Sequence, residues 1–63
     1  MINVNGKETE NCKSLSVLLE NGGFRRDRIA VEINGEIIKK YDYDKTVLND
    51  GDKIEVVSFV GGG

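Results

Sequence analysis

Ile29-Ala30-Val31-Glu32-Ile33-Asn34-Gly35-Glu36-Ile37-Ile38 decides the fold class. Ile29, Val31 and Ile33 alternate with Ala30, Glu32 and Asn34, the period of a strand with one buried face. Asn34-Gly35 follows. Both residues accept positive φ, which a two-residue type I′ hairpin turn requires, and Glu36-Ile37-Ile38 returns. The chain opens on the same pattern: Ile2 and Val4 alternate with Asn3 and Asn5, Asn5-Gly6 turns, and Lys7 to Asn11 comes back. That second arm is weakly apolar. Its Lys7, Glu8 and Glu10 mark it as an edge strand that resists pairing with other chains.

One helix separates the two hairpins. Ser14 is placed to cap it, with its hydroxyl accepting from an otherwise unpaired backbone N–H. Leu15, Leu18 and Leu19 recur at i, i+3, i+4 and share a face, with Val17 flanking them. Asn21-Gly22-Gly23 stops the helix, glycine taking the left-handed position. About two turns of helix cannot stand alone in water, so packing on a sheet must hold it. Further on, Tyr41-Asp42-Tyr43-Asp44 reads as irregular. Thr46-Val47-Leu48 leads into Asn49-Asp50-Gly51-Asp52, a run of turn formers. The last strand is expected from Lys53 to about Val60, with Ile54 and Val56 alternating against Glu55.

These elements predict an α+β fold: a four- to five-stranded sheet with one helix on one face. Ile2, Val4, Leu15, Leu18, Leu19, Ile29, Val31, Ile33, Leu48, Ile54 and Val56 are the expected core. Residues 1–60 make a single domain and residues 61–63 a flexible glycine tail. The opposite sheet face has no helix to cover it. Val57 and Phe59 are expected there, as a small apolar patch beside the tail that contacts a partner.

Composition narrows the function. The chain has 63 residues, a net charge of −2, no His and one Cys. A domain of this size buries only roughly 60% of its unfolded surface and holds about 3–5 kcal/mol of stability, so it has no room for an enclosed active site. The negative balance argues against nucleic-acid binding. No apolar run is long enough for a membrane span or a secretory signal. A single Cys forms no internal disulfide, which places the expectation in a reducing cytoplasm. Without His, the Ser-His and Cys-His nucleophile arrangements and His-bearing zinc sites fall away. The expected protein is not an enzyme, and its function is presented to something larger.

Three candidate groups have plain structural readings. Cys12, between the second strand and the helix, is expected as a small, partly buried apolar residue rather than a sulfur relay. Asp42, Asp44, Asp50 and Asp52 lack the spacing of a calcium loop, and Asp50-Gly51-Asp52 is a turn, so no metal is expected. Arg25, Arg26 and Arg28 read as solvated loop charges, with an acidic docking partner as the alternative.

The informative feature is Gly61-Gly62-Gly63. Glycine lacks a Cβ, so its backbone enters a narrow channel in any conformation. The group on offer is then an α-carboxylate on a thin tether. A carboxylate is a poor electrophile, but joining it to AMP makes a mixed anhydride that a sulfur or amine nucleophile attacks. The carrier supplies tether and docking surface, and its partner supplies the catalysis.

Three stretches resemble one family. Met1-Ile2-Asn3-Val4-Asn5-Gly6-Lys7 is similar to the first hairpin of the thiamine-biosynthesis sulfur carriers, the ThiS family of ubiquitin-like β-grasp proteins. Ala30-Val31-Glu32-Ile33-Asn34-Gly35-Glu36-Ile37-Ile38 resembles the family's A-V-x-x-N-x-x-x-V stretch. Leu48-Asn49-Asp50-Gly51-Asp52-Lys53-Ile54-Glu55-Val56-Val57, with Val60-Gly61-Gly62-Gly63, resembles its L-x-D-G-D-x-I-E-V-V strand and Gly-Gly terminus. Two departures stand out. Lys39 and Lys40 take the places where the family often has Pro and a basic residue, and Phe59 is bulkier than expected before the tail.

The resemblance implies that the first and last strands pair in parallel at the centre of the sheet. It implies that a ThiF-like adenylating enzyme uses ATP to convert the Gly63 carboxylate to an acyl adenylate, with no cofactor bound to the carrier itself. Sulfur from a cysteine desulfurase or sulfurtransferase route then gives a Gly63 thiocarboxylate, which thiazole synthase takes into the thiazole ring of thiamine. Gly61 and Gly62 fit the tail into the partners' channels. The alternatives are the small subunit of molybdopterin synthase, with the same Gly-Gly chemistry but a longer chain, and a ubiquitin-like interaction module whose tail is incidental.

Overall fold

The first, third and last strands form where the sequence alternates, and each hairpin turns where Asn-Gly permits positive φ. The computed structural model describes residues 1–59. β1 (Ile2–Val4) pairs antiparallel with β2 (Lys7–Thr9), and β3 (Ile29–Ile33) pairs antiparallel with β4 (Glu36–Ile38). Asn5 and Gly6 lie at φ 52° and 85°, Asn34 and Gly35 at 53° and 85°. These are the paired left-handed conformations of the type I′ turn, whose twist matches that of the flanking strands. β5 (Lys53–Ser58) runs between the hairpins, parallel to β1 and antiparallel to β3. The sheet order is β2-β1-β5-β3-β4. The parallel central pair implied by the resemblance is therefore present, and β2 is an edge strand as its charges predict.

α1 (Leu15–Asn21) begins at Ser14, whose hydroxyl accepts from the Val17 N–H at 3.4 Å. It ends in a paired backbone cap. The Phe24 N–H donates to the Leu19 carbonyl at 3.0 Å and the Gly23 N–H to Glu20 at 3.1 Å, with Gly23 at φ 73°. This satisfies two carbonyls the helix leaves open and turns Phe24 back against the core.

Leu15, Leu18 and Leu19 pack on Ile2, Ile29, Val31, Ile33, Leu48, Ile54 and Val56, all buried. Val4 departs from expectation: next to the turn it is only half-buried, packing at the margin of this cluster. Tyr43 is the larger departure. The expected irregular segment is a 3-10 helix, Lys40–Lys45, and Tyr43 is 2% exposed, among the largest fully buried side chains. It packs into the same buried cluster as the three leucines of α1. Two strands are shorter than expected because their partners end. β2 stops at Thr9, the residue opposite Ile2, where β1 begins. β5 stops at Ser58, opposite Ile29, where β3 begins. Val60 lies outside the described residues.

Two exposed carboxylates fasten the loops. Asp44 is held below its ordinary 3.8 by the hydrogen bond from Arg26 and by that guanidinium's charge. Asp50 is held below the same value by the hydrogen bond from Asn11, then by the N-terminal ammonium. A folded value lower than the unfolded one means stability that is present above the unfolded value and lost as pH falls through the folded one. Melting temperature is therefore expected to drop on acidification below about pH 4. A double variant, Asp44→Asn with Asp50→Asn, should show a shallower drop. Both groups are exposed, so the difference should be small and should shrink in high salt. Thermal melts across pH at low ionic strength check it, and identical slopes for the two proteins would remove these carboxylates from the account.

Candidate functional site: the open sheet face and the end of β5

Strand alternation assigns the faces. Ile54 and Val56 point under the helix, so Glu55 and Val57 point to the uncovered side. The register extends this across the sheet. Val57 lies opposite Ala30, Glu55 opposite Glu32, Glu32 opposite Ile37, and Lys53 beside Asn3, which lies opposite Glu8. Val57 is 59% exposed and Ile37 72%. Phe59, one residue beyond the strand, is also 59% exposed, and its N–H still donates to the Arg28 carbonyl at 2.7 Å. That ladder bond carries the alternation of β5 on to Phe59. The structure thus brings Val57 and Phe59 together at the end of β5, on the face away from α1. Gly61, Gly62 and Gly63 lie outside the described residues.

Two carboxylates lie on the same open face, further back along β5. Glu32 and Glu55 face each other across β3 and β5, and neither forms a salt bridge among the described residues. Sequence reading missed their juxtaposition, as it missed Ile37 on the same face. Alternation placed each of them on the outer side of its own strand, but only the register says which strands are neighbours.

The other candidates sit elsewhere. Cys12 is half-buried on the helix side, its thiol donating to the Ser14 carbonyl at 3.4 Å. Arg26 joins Asp44 and lies over the Tyr43 ring, 5.8 Å from its centre, so it is a structural clasp. Burial pushes the Tyr43 phenol above its ordinary value, partly offset by that guanidinium. Asp52 accepts from Asn34 and from the Asn49 N–H, which closes the turn before β5. Among the described residues, no three His, Cys, Asp or Glu side chains gather where they would hold a metal ion.

The model of the ThiS family matches residues 2–63. The chain belongs to the ThiS family. Its members include the sulfur carrier protein ThiS of Bacillus subtilis, 39% identical over 66 residues that cover all of both chains. The crystal structure of the thiamine biosynthesis protein ThiS from Geobacter metallireducens superposes with a TM-score of 0.80 at 33% identity, covering 98% of this chain and 97% of that one. The mixed five-stranded sheet with one helix is therefore the ubiquitin-like β-grasp. A third similarity is of a different kind. The thiazole synthase of Paramagnetospirillum magneticum is 44% identical over 62 residues, which are 95% of this chain and 19% of that protein. This ThiS-family chain thus spans about one fifth of that relative's length. Among the described residues no helix is long and apolar enough to cross a membrane.

Proposed function

We propose that this chain is the sulfur carrier for thiazole formation in thiamine biosynthesis, with the terminal carbonyl carbon of Gly63 as its working atom. The observation that carries this reading is the match to the ThiS family through residue 63, onto a β-grasp whose last strand runs toward that terminus. The family match likewise favours thiamine over the molybdopterin alternative.

The chemistry follows from the carboxylate. Its oxygen attacks the α-phosphorus of ATP in an adenylating partner, releasing pyrophosphate and leaving an acyl adenylate. The terminal sulfur of a protein persulfide then attacks the carbonyl carbon and AMP departs. A thiol cleaves the resulting acyl disulfide, forming a new disulfide and freeing the Gly63 thiocarboxylate. That sulfur is anionic and nucleophilic, yet it stays attached to a protein until thiazole synthase accepts it. A thiazole synthase that contains a stretch like this chain supports that partner.

The open face is the docking surface in this reading. Four residues, Val60 to Gly63, follow Phe59. Fully extended they span at most about 14 Å. An enzyme that closes on Gly63 must therefore also cover the surface around Phe59 and Val57. Phe59→Asp is expected to weaken binding to the adenylating partner about tenfold or more, because a buried aromatic anchor is replaced by a charge. Its melting temperature should be unchanged, since Phe59 is outside the core. Calorimetric titration checks this; unchanged affinity would take Phe59 out of the interface.

The test of the function is intact mass. The chain is incubated with ATP, a ThiF-like enzyme and a sulfide source. A gain equal to one oxygen replaced by sulfur is expected, and an unchanged mass with an enzyme shown to be active on another carrier contradicts the proposal.

A further inference from the structure

We infer that Asn5 is a positioning residue for the tail: its side chain fixes the strand from which the tail leaves. The inference rests on the carrier reading above. β1 accompanies β5 only as far as the Val4–Ile54 pair, with the Asn5 N–H donating to the Ile54 carbonyl at 2.9 Å. At Asn5 the chain turns away into Gly6. The Asn5 carboxamide then takes the place of the missing next peptide. Its Oδ1 accepts from the Val56 N–H at 2.8 Å and its Nδ2 donates to the Val56 carbonyl at 3.2 Å. Both bonds are partly buried, and the partners are 51 residues apart in sequence. Val56 is three residues before Phe59. From there on, β5 is held from the other side, by the Ile29–Ser58 pair and by the Phe59 bond to Arg28. Among the described residues, Asn5 is thus the last grip on the β1 side of the strand that carries the tail.

The second hairpin supplies a matched comparison within the same molecule. Asn34 has the same φ, the same following glycine and a similar reach: its Oδ1 accepts from the Lys53 N–H at 3.0 Å, and its Nδ2 donates to Asp52 at 3.0 Å. It grips the opposite end of β5, away from the tail. Two Asn-Gly turns therefore grip one strand, Asn34 at its start and Asn5 past its middle, and the Asn5 grip is the one nearer the tail.

A displacement of the reacting carboxylate by about 1 Å costs on the order of a hundredfold in rate, so loosening the tail-bearing end of β5 should be visible in turnover. Asn5→Gly keeps the turn conformation and removes both bonds; Asn34→Gly does the same at the far end. Sulfur loading is measured as kcat and KM for each carrier with the adenylating enzyme, ATP and sulfide, alongside melting temperature and hydrogen exchange at the Val56 amide. The expected result is faster Val56 exchange and a kcat about tenfold lower for Asn5→Gly, with Asn34→Gly loading as the parent does. Should Asn5→Gly prove unfolded, Asn5→Asp provides the measurement, since it keeps the acceptor for the Val56 N–H and sets an oxygen against the Val56 carbonyl in place of the donor. Equal losses in the two hairpin variants would show a general stability effect and overturn the inference. Loading at the parent rate with accelerated Val56 exchange would overturn it as well. Failure of the parent chain to load would instead strike the carrier reading itself.

Discussion

A chain lacking Gly63 is expected to fold normally and to load sulfur at least about a hundredfold more slowly than the parent. The deleted chain still ends in a glycine carboxylate, so neither the chemical group nor its lack of a side chain is lost. What changes is reach. Each extended residue contributes roughly 3.5 Å, so the carboxylate falls short of the α-phosphorus of ATP by about that distance when the domain is docked. Attack needs the reacting atoms at about 3–3.5 Å, and a shortfall of this size removes the near-attack geometry. Adding one residue after Gly63 should be equally damaging, because the Gly63 carbonyl becomes an unreactive amide. Among the described residues the core ends at Val56, so neither change should alter the melting temperature. Intact mass after a timed incubation, with thermal melts in parallel, checks both. Parent-like loading of the shortened chain would show that the partner does not measure tail length.

Tyr43→Ala is expected to leave the protein largely unfolded at 25 °C. Tyr43 is 2% exposed beneath α1 and the largest side chain in the core. Truncating a buried aromatic ring costs about 3–5 kcal/mol in lost transfer energy and residual cavity. A domain this small holds about the same total, roughly 3–5 kcal/mol. The two magnitudes are alike, so this single change consumes the margin. The contact of the Arg26 guanidinium with the ring also disappears. Tyr43→Phe keeps the ring and should cost about 1 kcal/mol or less. Urea denaturation followed by circular dichroism separates the two variants. A Tyr43→Ala midpoint close to that of the parent would mean that the 3-10 segment is not part of the core.

The contrast between Tyr43 and its neighbours shows what the sequence makes legible. Ile29, Val31 and Ile33 announce a strand because alternation is a property of consecutive residues, and Asn34-Gly35 announces its turn because few dipeptides tolerate two positive φ angles. Leu15, Leu18 and Leu19 announce a helix face in the same way. Tyr43 sits in a six-residue 3-10 segment. That is too short for any period to show, and Tyr41 at 72% exposure is its near twin in sequence. Only packing under α1 distinguishes them.

The candidate site divides along the same line. Val57 and Phe59 were readable as outward-facing from the alternation of Ile54 and Val56. The pairing of Glu55 with Glu32, and the reach of Asn5 to Val56, depend on β5 lying between the two hairpins. Those contacts join residues 23 and 51 apart in the chain. Periodicity carries no information at that separation, and the parallel β1–β5 pair entered the expectations only through family resemblance. Asn5 is a turn former, as its Asn-Gly dipeptide implies. Its second role is invisible until the neighbouring strand is known.

The central claim is that sulfur is carried on the terminal carbonyl carbon of Gly63. Fragmentation mass spectrometry of the chain after incubation with ATP, a ThiF-like adenylating enzyme and sulfide tests it most directly. The account predicts that the added mass stays with the fragment containing Gly63 and that an alkylating reagent caps the new sulfur there, adding its alkyl group as a thioester on that residue. An unmodified Gly63 fragment, with an enzyme shown to be active on another carrier, would contradict it.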